Sequence, residues 1–218
     1  LNRDMSKEKN NVFQTLIAIS ISLCILILMV KFALAFKSFY YFEVDRLNIE
    51  SMSNMTKNEI IKNYDYTIDY LLGKKGTEFE LPSLPSSLFG KVHFEEVLKI
   101  FSTLNIVLTV GIAISIIGIV FLYKKRNFNF IKKVSNILTF FPIIFGAIFS
   151  LNFERSFIIF HKIFFRNDYW IFDPQKDPII NILPQEFFFD IAIFILIINF
   201  VIAFLLRIIY HKKLKYLK

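Results

Sequence analysis

Residues 10–30 read NNVFQTLIAISISLCILILMV, 21 positions without a charge between Lys9 and Lys31. A bilayer core about 30 Å thick takes about 20 apolar helical residues to cross, and this run is long enough. Three more follow: 100–123 between Lys99 and Lys124, 134–153 between Lys133 and Glu154, and 187–206, interrupted only by Asp190. One such run would suit a buried core helix. Four in 218 residues would not, because a soluble helix needs an apolar stripe and not an apolar circumference. The composition agrees, with 55% hydrophobic residues, 28 phenylalanines and a mean hydropathy of +0.53. The expected fold is an all-α membrane protein, a single integral membrane domain over 1–218. Its spans fall at about 12–36, 100–123, 134–153 and 187–206, with outer loops 37–99 and 154–186 and a cytoplasmic loop 124–133. The two outer loops are expected to form a structured extracytoplasmic cap.

The first run is longer than the apolar core of a secretion signal and lacks a small-x-small cleavage site, so it reads as a retained helix. Cys24 lies inside it behind Leu23, where lipid attachment demands a small residue, and its thiol reads as a buried spectator. The sequence opens on Leu1, which implies either a non-methionine start or a true start at Met5.

The net charge of +8 would suit nucleic acid were it not so unevenly placed. The loop KKRNFNFIKK (124–133) and the tail with Arg207, Lys212, Lys213, Lys215 and Lys218 carry bases and no acid. Residues 37–99 hold 8 bases against 10 acids, so the positive excess sits on one side of the four runs. Basic flanks stay in the cytoplasm, which puts both termini inside and loops 37–99 and 154–186 outside in a bacterial plasma membrane. In the second span, Gly111, Ser115 and Gly118 share a face at the spacing of a close helix–helix contact.

Loop 37–99 holds Thr56 and Glu59, spaced as a capping box, before Ile60, Ile61, Tyr64, Ile68, Leu71 and Leu72 at helical intervals. Gly73 is placed to end that amphipathic helix, which is expected on the membrane surface or the outer mouth of the bundle. SLFGKVHFEEVLKIF (87–101) reads as a helix running into the second span, carrying His93 and Glu96. Beyond the third span, Phe153, Phe157, Phe160, His161 and Phe164 continue one helical face outward. Asn167, Asp168 and Trp170 follow, and Asp177 before Pro178 reads as the N-cap of a short helix that Pro184 stops.

Phe160-His161-x-x-Phe164-Phe165-x-Asn167-Asp168-x-Trp170, then Pro174-x-x-Asp177-Pro178 and Leu183-Pro184-x-x-Phe187-Phe188, resembles the signature of the bacterial lipoprotein intramolecular transacylase (Lit) family. His93-x-x-Glu96-Val97-x-Lys99 is similar to the family's second motif, with Glu96 where Asp is the commoner residue. The resemblance spans nearly the whole chain. It implies an acyltransferase that moves the sn-2 acyl chain of a lipoprotein's diacylglyceryl-cysteine to that cysteine's α-amino group, giving the lyso form. The implied partners are a diacylated lipoprotein N-terminus and membrane lipids, with no nucleic acid, no nucleotide, no cofactor and no metal.

On that reading His161 is the acid/base, or alternatively a nucleophile passing through an acyl-imidazole, and His93 stabilises the oxyanion or moves a second proton. Asp168 or Glu96 fixes a histidine tautomer, and Asn167 donates a hydrogen bond. Trp170 serves as an interfacial anchor, Asp177 chiefly as a cap, and Arg155 pairs with lipid phosphate or an acid. Two rival readings differ in class. A metal-dependent membrane hydrolase would use His93, Glu96, His161 and Asp168 as ligands, and a non-enzymatic scaffold would bind lipid or lipoprotein. A transporter fits less well, because the spans hold few ionisable groups.

Overall fold

The computed structural model describes residues 2–76 and 78–215, with side chains for 10–76, 78–147 and 151–215. Leu1, Lys218 and the side chains of Met5 and Lys9 lie outside the described set. Among the described residues there is helix and no strand. The helices are α1 (Asn2–Ala35), α2 (Lys37–Arg46), α3 (Ile49–Ser53), α4 (Lys57–Leu71), α5 (Leu88–Lys124), α6 (Asn129–Leu151), α7 (Phe153–Phe164), α8 (Ile179–Ile182) and α9 (Gln185–Lys215). Among the described residues four segments are long and apolar enough to cross a membrane: Asn10–Ala35, Leu88–Lys124, Asn129–Ala147 and Gln185–Lys215.

The chain divides into two compact units. The first comprises Leu1–Val30, Leu104–Ile148 and Phe194–Lys218. Its outer surface is apolar: Ile117 is 71% exposed and Phe204 66%, a display suited to lipid and not to water. Inside, the small-residue face of α5 meets α1 as its spacing predicts. The Ser20 hydroxyl donates to the Gly111 carbonyl at 3.1 Å and lies 3.1 Å from the Ser115 hydroxyl. A Cβ at Gly111 would stand 2.7 Å from Cys24 Sγ, and one at Gly118 would overlap Ile17. Cys24 is buried and unbridged. Pro142 stands within α6 and offers no N–H to the Leu138 carbonyl one turn back. Asn199 Nδ2 of α9 donates to that carbonyl at 2.6 Å, and the Ser135 hydroxyl donates to the Ala203 carbonyl at 2.9 Å.

The second unit comprises Lys31–Thr103 and Phe149–Ile193. Its core is aromatic: Tyr40 stacks on Tyr64 at 3.6 Å with Phe187 edge-on to Tyr40 at 5.1 Å, and Phe79 stacks on Phe94 at 4.1 Å. The Tyr40 hydroxyl donates to the Ile182 carbonyl at 2.5 Å, which ties α2 to α8. Thr56 and Glu59 form the expected capping box, and Gly73, at φ +73°, turns the chain after α4. The apolar face of α4 takes the second of its two expected places, against the ends of spanning helices, with Phe94 of α5 and Phe187 of α9 in the same core. Ile60, Tyr64 and Ile68 are buried in the unit's own core, because aromatic partners from α2 and α9 cover them. Asp190, the charge inside the fourth run, pairs with Arg46, which Glu43 also grips.

Two local expectations are corrected. Phe153–Phe164 does not continue α6. The chain leaves the helix at Asn152 (φ −164°, ψ 98°), whose side chain accepts the Arg155 N–H at 2.9 Å and starts a fresh helix. Nor does the Asp177 side chain cap the helix that follows it; the cap position of α8 is Pro178, with no side-chain bond. Asp177 instead accepts from the Ser87 N–H and hydroxyl, each at 2.7 Å, at the head of α5. Ser87 there offers two half-buried donors, and the two Asp177 oxygens take one each.

Candidate active site

His93 lies in the first turns of α5 and His161 in the last turn of α7, both within the second unit. Ser87 sets the start of α5 by accepting the Gly90 N–H at 3.0 Å, while the Asp177 carboxylate holds Ser87. A Cβ on Gly90 would overlap that carboxylate, so only glycine admits this clasp. Asn152 launches α7, and two further turns bring His161 to its place.

The imidazole centroids stand 6.0 Å apart, with 7% of His93 and 9% of His161 exposed. Aromatic rings supply most of the walls. His161 stacks on Trp170 at 4.6 Å and tilts against Phe157 at 4.2 Å, while Phe165 (4.7 Å) and Phe172 (5.5 Å) flank His93. Burial holds the His161 imidazole below the ordinary histidine range, and its bond to the Phe157 carbonyl offsets part of that. The ring is therefore neutral near pH 7.

His161 Nδ1 sits 2.8 Å from the Phe157 carbonyl oxygen. A carbonyl only accepts, so Nδ1 carries the proton and the lone pair of the neutral ring resides on Nε2. The tautomer is fixed by backbone, where a carboxylate was expected. Glu96 is engaged elsewhere: Asn167 Nδ2 donates to its Oε1 at 2.8 Å. Asn167 Oδ1 accepts the Tyr169 N–H at 3.1 Å, and its carbonyl accepts Trp170 Nε1–H at 3.1 Å. One asparagine thus positions both Glu96 on α5 and the indole that covers His161. His93 Nδ1 and Glu96 Oε2 are buried without a hydrogen-bond partner among the described residues. Such atoms are costly in a folded chain and mark a place where a ligand's polar groups can be received.

Of the residues singled out in the sequence, His93, His161, Glu96, Asn167 and Trp170 converge, and Asp177 supports them from behind α5. Asp168 is exposed, and its carboxylate makes no bond among the described residues. Arg155 is exposed too, its described bond being the backbone N–H to Asn152. Among the described residues no three His, Cys, Asp or Glu side chains group as a metal site. Ser87, Gly90 and Phe172 were not foreseen, and Phe165 stood in the motif without an assigned role. Ser87 three residues ahead of Gly90 at the head of an apolar run is the legible signal for the first pair.

A family model described as lipoprotein intramolecular transacylase Lit matches residues 15–188. No curated protein sequence matches the chain. A solved structure of the membrane integral lipoprotein intramolecular transacylase Lit from Bacillus cereus is similar at 38% identity and a TM-score of 0.92, over 96% of this chain and 98% of that one. The same Bacillus cereus protein with one histidine replaced by arginine is similar at 37% identity and a TM-score of 0.89, over 99% and 96%. With that histidine replaced by alanine the values are 36% and 0.89, over 99% and 98%. With four apolar helices, a buried histidine pair and these likenesses, the chain belongs to the lipoprotein intramolecular transacylase Lit family of membrane acyltransferases.

Proposed function

We propose that the chain moves the sn-2 acyl group of a lipoprotein's diacylglyceryl-cysteine onto that cysteine's own α-amino group, with His161 as the acid/base. The observation that carries this reading is the 2.8 Å contact between His161 Nδ1 and the Phe157 carbonyl, which leaves Nε2 as a committed base. The amine nitrogen bonds to the ester carbonyl carbon, and the bond from that carbon to the glycerol oxygen breaks. One proton travels from the amine to Nε2 and on to the glycerol alkoxide, so the ring ends as it began. An α-amino group titrates near pH 8, within reach of an imidazole relay. His93 serves the tetrahedral oxyanion, where aromatic walls that exclude water strengthen any hydrogen bond to it.

Asn167, Glu96 and Trp170 hold the pair in register, and Asp177 fixes the head of α5. Asp168 and Arg155, both exposed, meet polar groups of the lipoprotein and of lipid. Charge asymmetry supports both termini in the cytoplasm and the histidines on the outer side. That is where a diacylated lipoprotein resides after export.

The test is mass spectrometry of a lipoprotein's N-terminal peptide from a bacterium lacking the activity. Expression of the chain should yield the N-acylated lyso form. His161→Gln should lower that yield about a thousandfold while the protein still accumulates in the membrane. Peptide that keeps both glycerol chains and a free amine when the unaltered chain is present rejects the reaction. Near-normal product from His161→Gln removes His161 from it.

A further inference from the structure

A cavity of about 550 Å³ opens in the first unit, where the start of α1, the α5–α6 connection and the end of α9 meet. Lys132 and Lys133 line it, and no described acidic side chain does. Four of its asparagines have their side-chain oxygens already spent on protein donors. Asn11 accepts from Lys133 Nζ (2.7 Å), Asn127 from the Asn129 N–H (3.2 Å), Asn129 from the Tyr210 hydroxyl (3.1 Å) and Asn136 from Arg207 (2.5 Å). What those side chains retain is their NH₂ groups. The Lys132 ammonium and a set of committed amide donors make a receptor for an acceptor-only anion, while Lys133, whose ammonium already donates to Asn11 and Thr15, adds charge.

Gln14 adds a complementary demand. It is 5% exposed, lines the same cavity, and its Oε1 is buried without a partner among the described residues. A carbonyl oxygen needs a donor, which a bare phosphate ester does not offer and a hydroxyl does. The volume lies within the range of small-ligand sites.

We propose that this cavity binds the headgroup of an anionic glycerophospholipid, its phosphate on Lys132 and the amide NH₂ groups and a headgroup hydroxyl on Gln14. The site is separate from the histidine pair and independent of the transacylation reading. Basic pockets between spanning helices are established receivers of such headgroups.

The full chain in a neutral detergent would be titrated with short-chain phosphatidylglycerol, short-chain phosphatidylcholine and inorganic phosphate, with binding read by native mass spectrometry and no turnover required. Phosphatidylglycerol should be retained in preference to phosphatidylcholine, and millimolar inorganic phosphate should not displace it. Lys132→Gln should weaken retention about fivefold. Asn127→Asp keeps the oxygen that accepts the Asn129 N–H but sets a carboxylate in the cavity, and should weaken retention at least as much. The two variants touch different bonds, so loss of fold in one leaves the other as the measure. Equal retention of both lipids, or unchanged phosphatidylglycerol binding in both variants, overturns the proposal. Displacement by inorganic phosphate overturns the lipid and leaves a soluble phosphate ester in its place.

Discussion

The two units solve the problem of holding helices together in opposite ways. In the first, small buried clusters around Leu122 and Leu138 are joined by close approaches of small side chains and single hydrogen bonds: Ser20 on Gly111, Ser135 on the Ala203 carbonyl, Asn199 on the Leu138 carbonyl. Many of its large apolar side chains, such as Ile117 and Phe204, face outward. The second turns its large side chains inward, with Tyr40, Tyr64, Phe79 and Phe94 packed ring on ring, and ties its polar groups into ion pairs. Lipid tails are as apolar as leucine, so burying a side chain between helices in a bilayer gains little, and close backbone approach becomes the source of affinity. Burial away from water gains about 25 cal/mol per Å² of apolar surface, which favours big rings in a core. The histidine pair belongs to the second regime, because a fixed tautomer needs rigid, well-packed walls.

Substitutions can break this contrast in order of size. Phe79→Ala empties the stack on Phe94, beside His93, and should cost about 3–5 kcal/mol. Thermal unfolding of the solubilised chain would measure it, and a loss below 1 kcal/mol would show that the second unit is not held by its core. Asp177→Ala leaves the half-buried Ser87 donors without this acceptor and should cost about 2 kcal/mol. Asp177→Asn, which keeps one acceptor oxygen, should cost less, and equal losses would count against the clasp.

In the first unit the same kind of deletion should register faintly. Asn199→Leu strips the Leu138 carbonyl of its donor, yet intramembrane hydrogen bonds average about 0.6 kcal/mol and reach about 1.7. A loss above 3 kcal/mol by the same measurement would erase the distinction between the units. The smallest effect is that of pH. The folded His161 titrates below its unfolded value, so the unfolded chain binds its proton first. The stability His161 confers is full above about pH 6.5 and declines as pH falls through the folded value. Melting curves of the unaltered chain and His161→Gln should therefore converge on acidification; parallel curves would mean His161 is not held neutral.

How legible all this is in the sequence depends on how far each signal reaches. The four spans, the Thr56–Glu59 box and the Gly111–Ser115–Gly118 seam are local patterns, each written within one or two turns or one uncharged run. The break at Asn152 was hidden because an asparagine inside an apolar stretch leaves the run long enough to cross, and only its capping bond to Arg155 reveals a new helix. Asp177 misled for a related reason, since Asp-Pro is a sound local cap while its true partner, Ser87, is 90 residues away. Both histidines stood out as motif residues. What held His161 could not, because the Phe157 carbonyl is backbone and any residue at 157 would offer one. The 6.0 Å spacing of the rings is likewise a product of tertiary packing.

The clasp between Ser87 and Asp177 also sets a timetable. A ribosome adds about 5–20 residues per second, so the 90 residues between the two partners take roughly 5–20 s to emerge. Until then the head of α5 has its serine and its glycine but no carboxylate to close on, and His93 waits on an unfinished helix start. The segment bearing Asp177 also follows the one bearing His161. The last piece to arrive therefore locks the first histidine in place, and a nascent chain cut short of residue 177 carries both imidazoles without the clasp that steadies one of them.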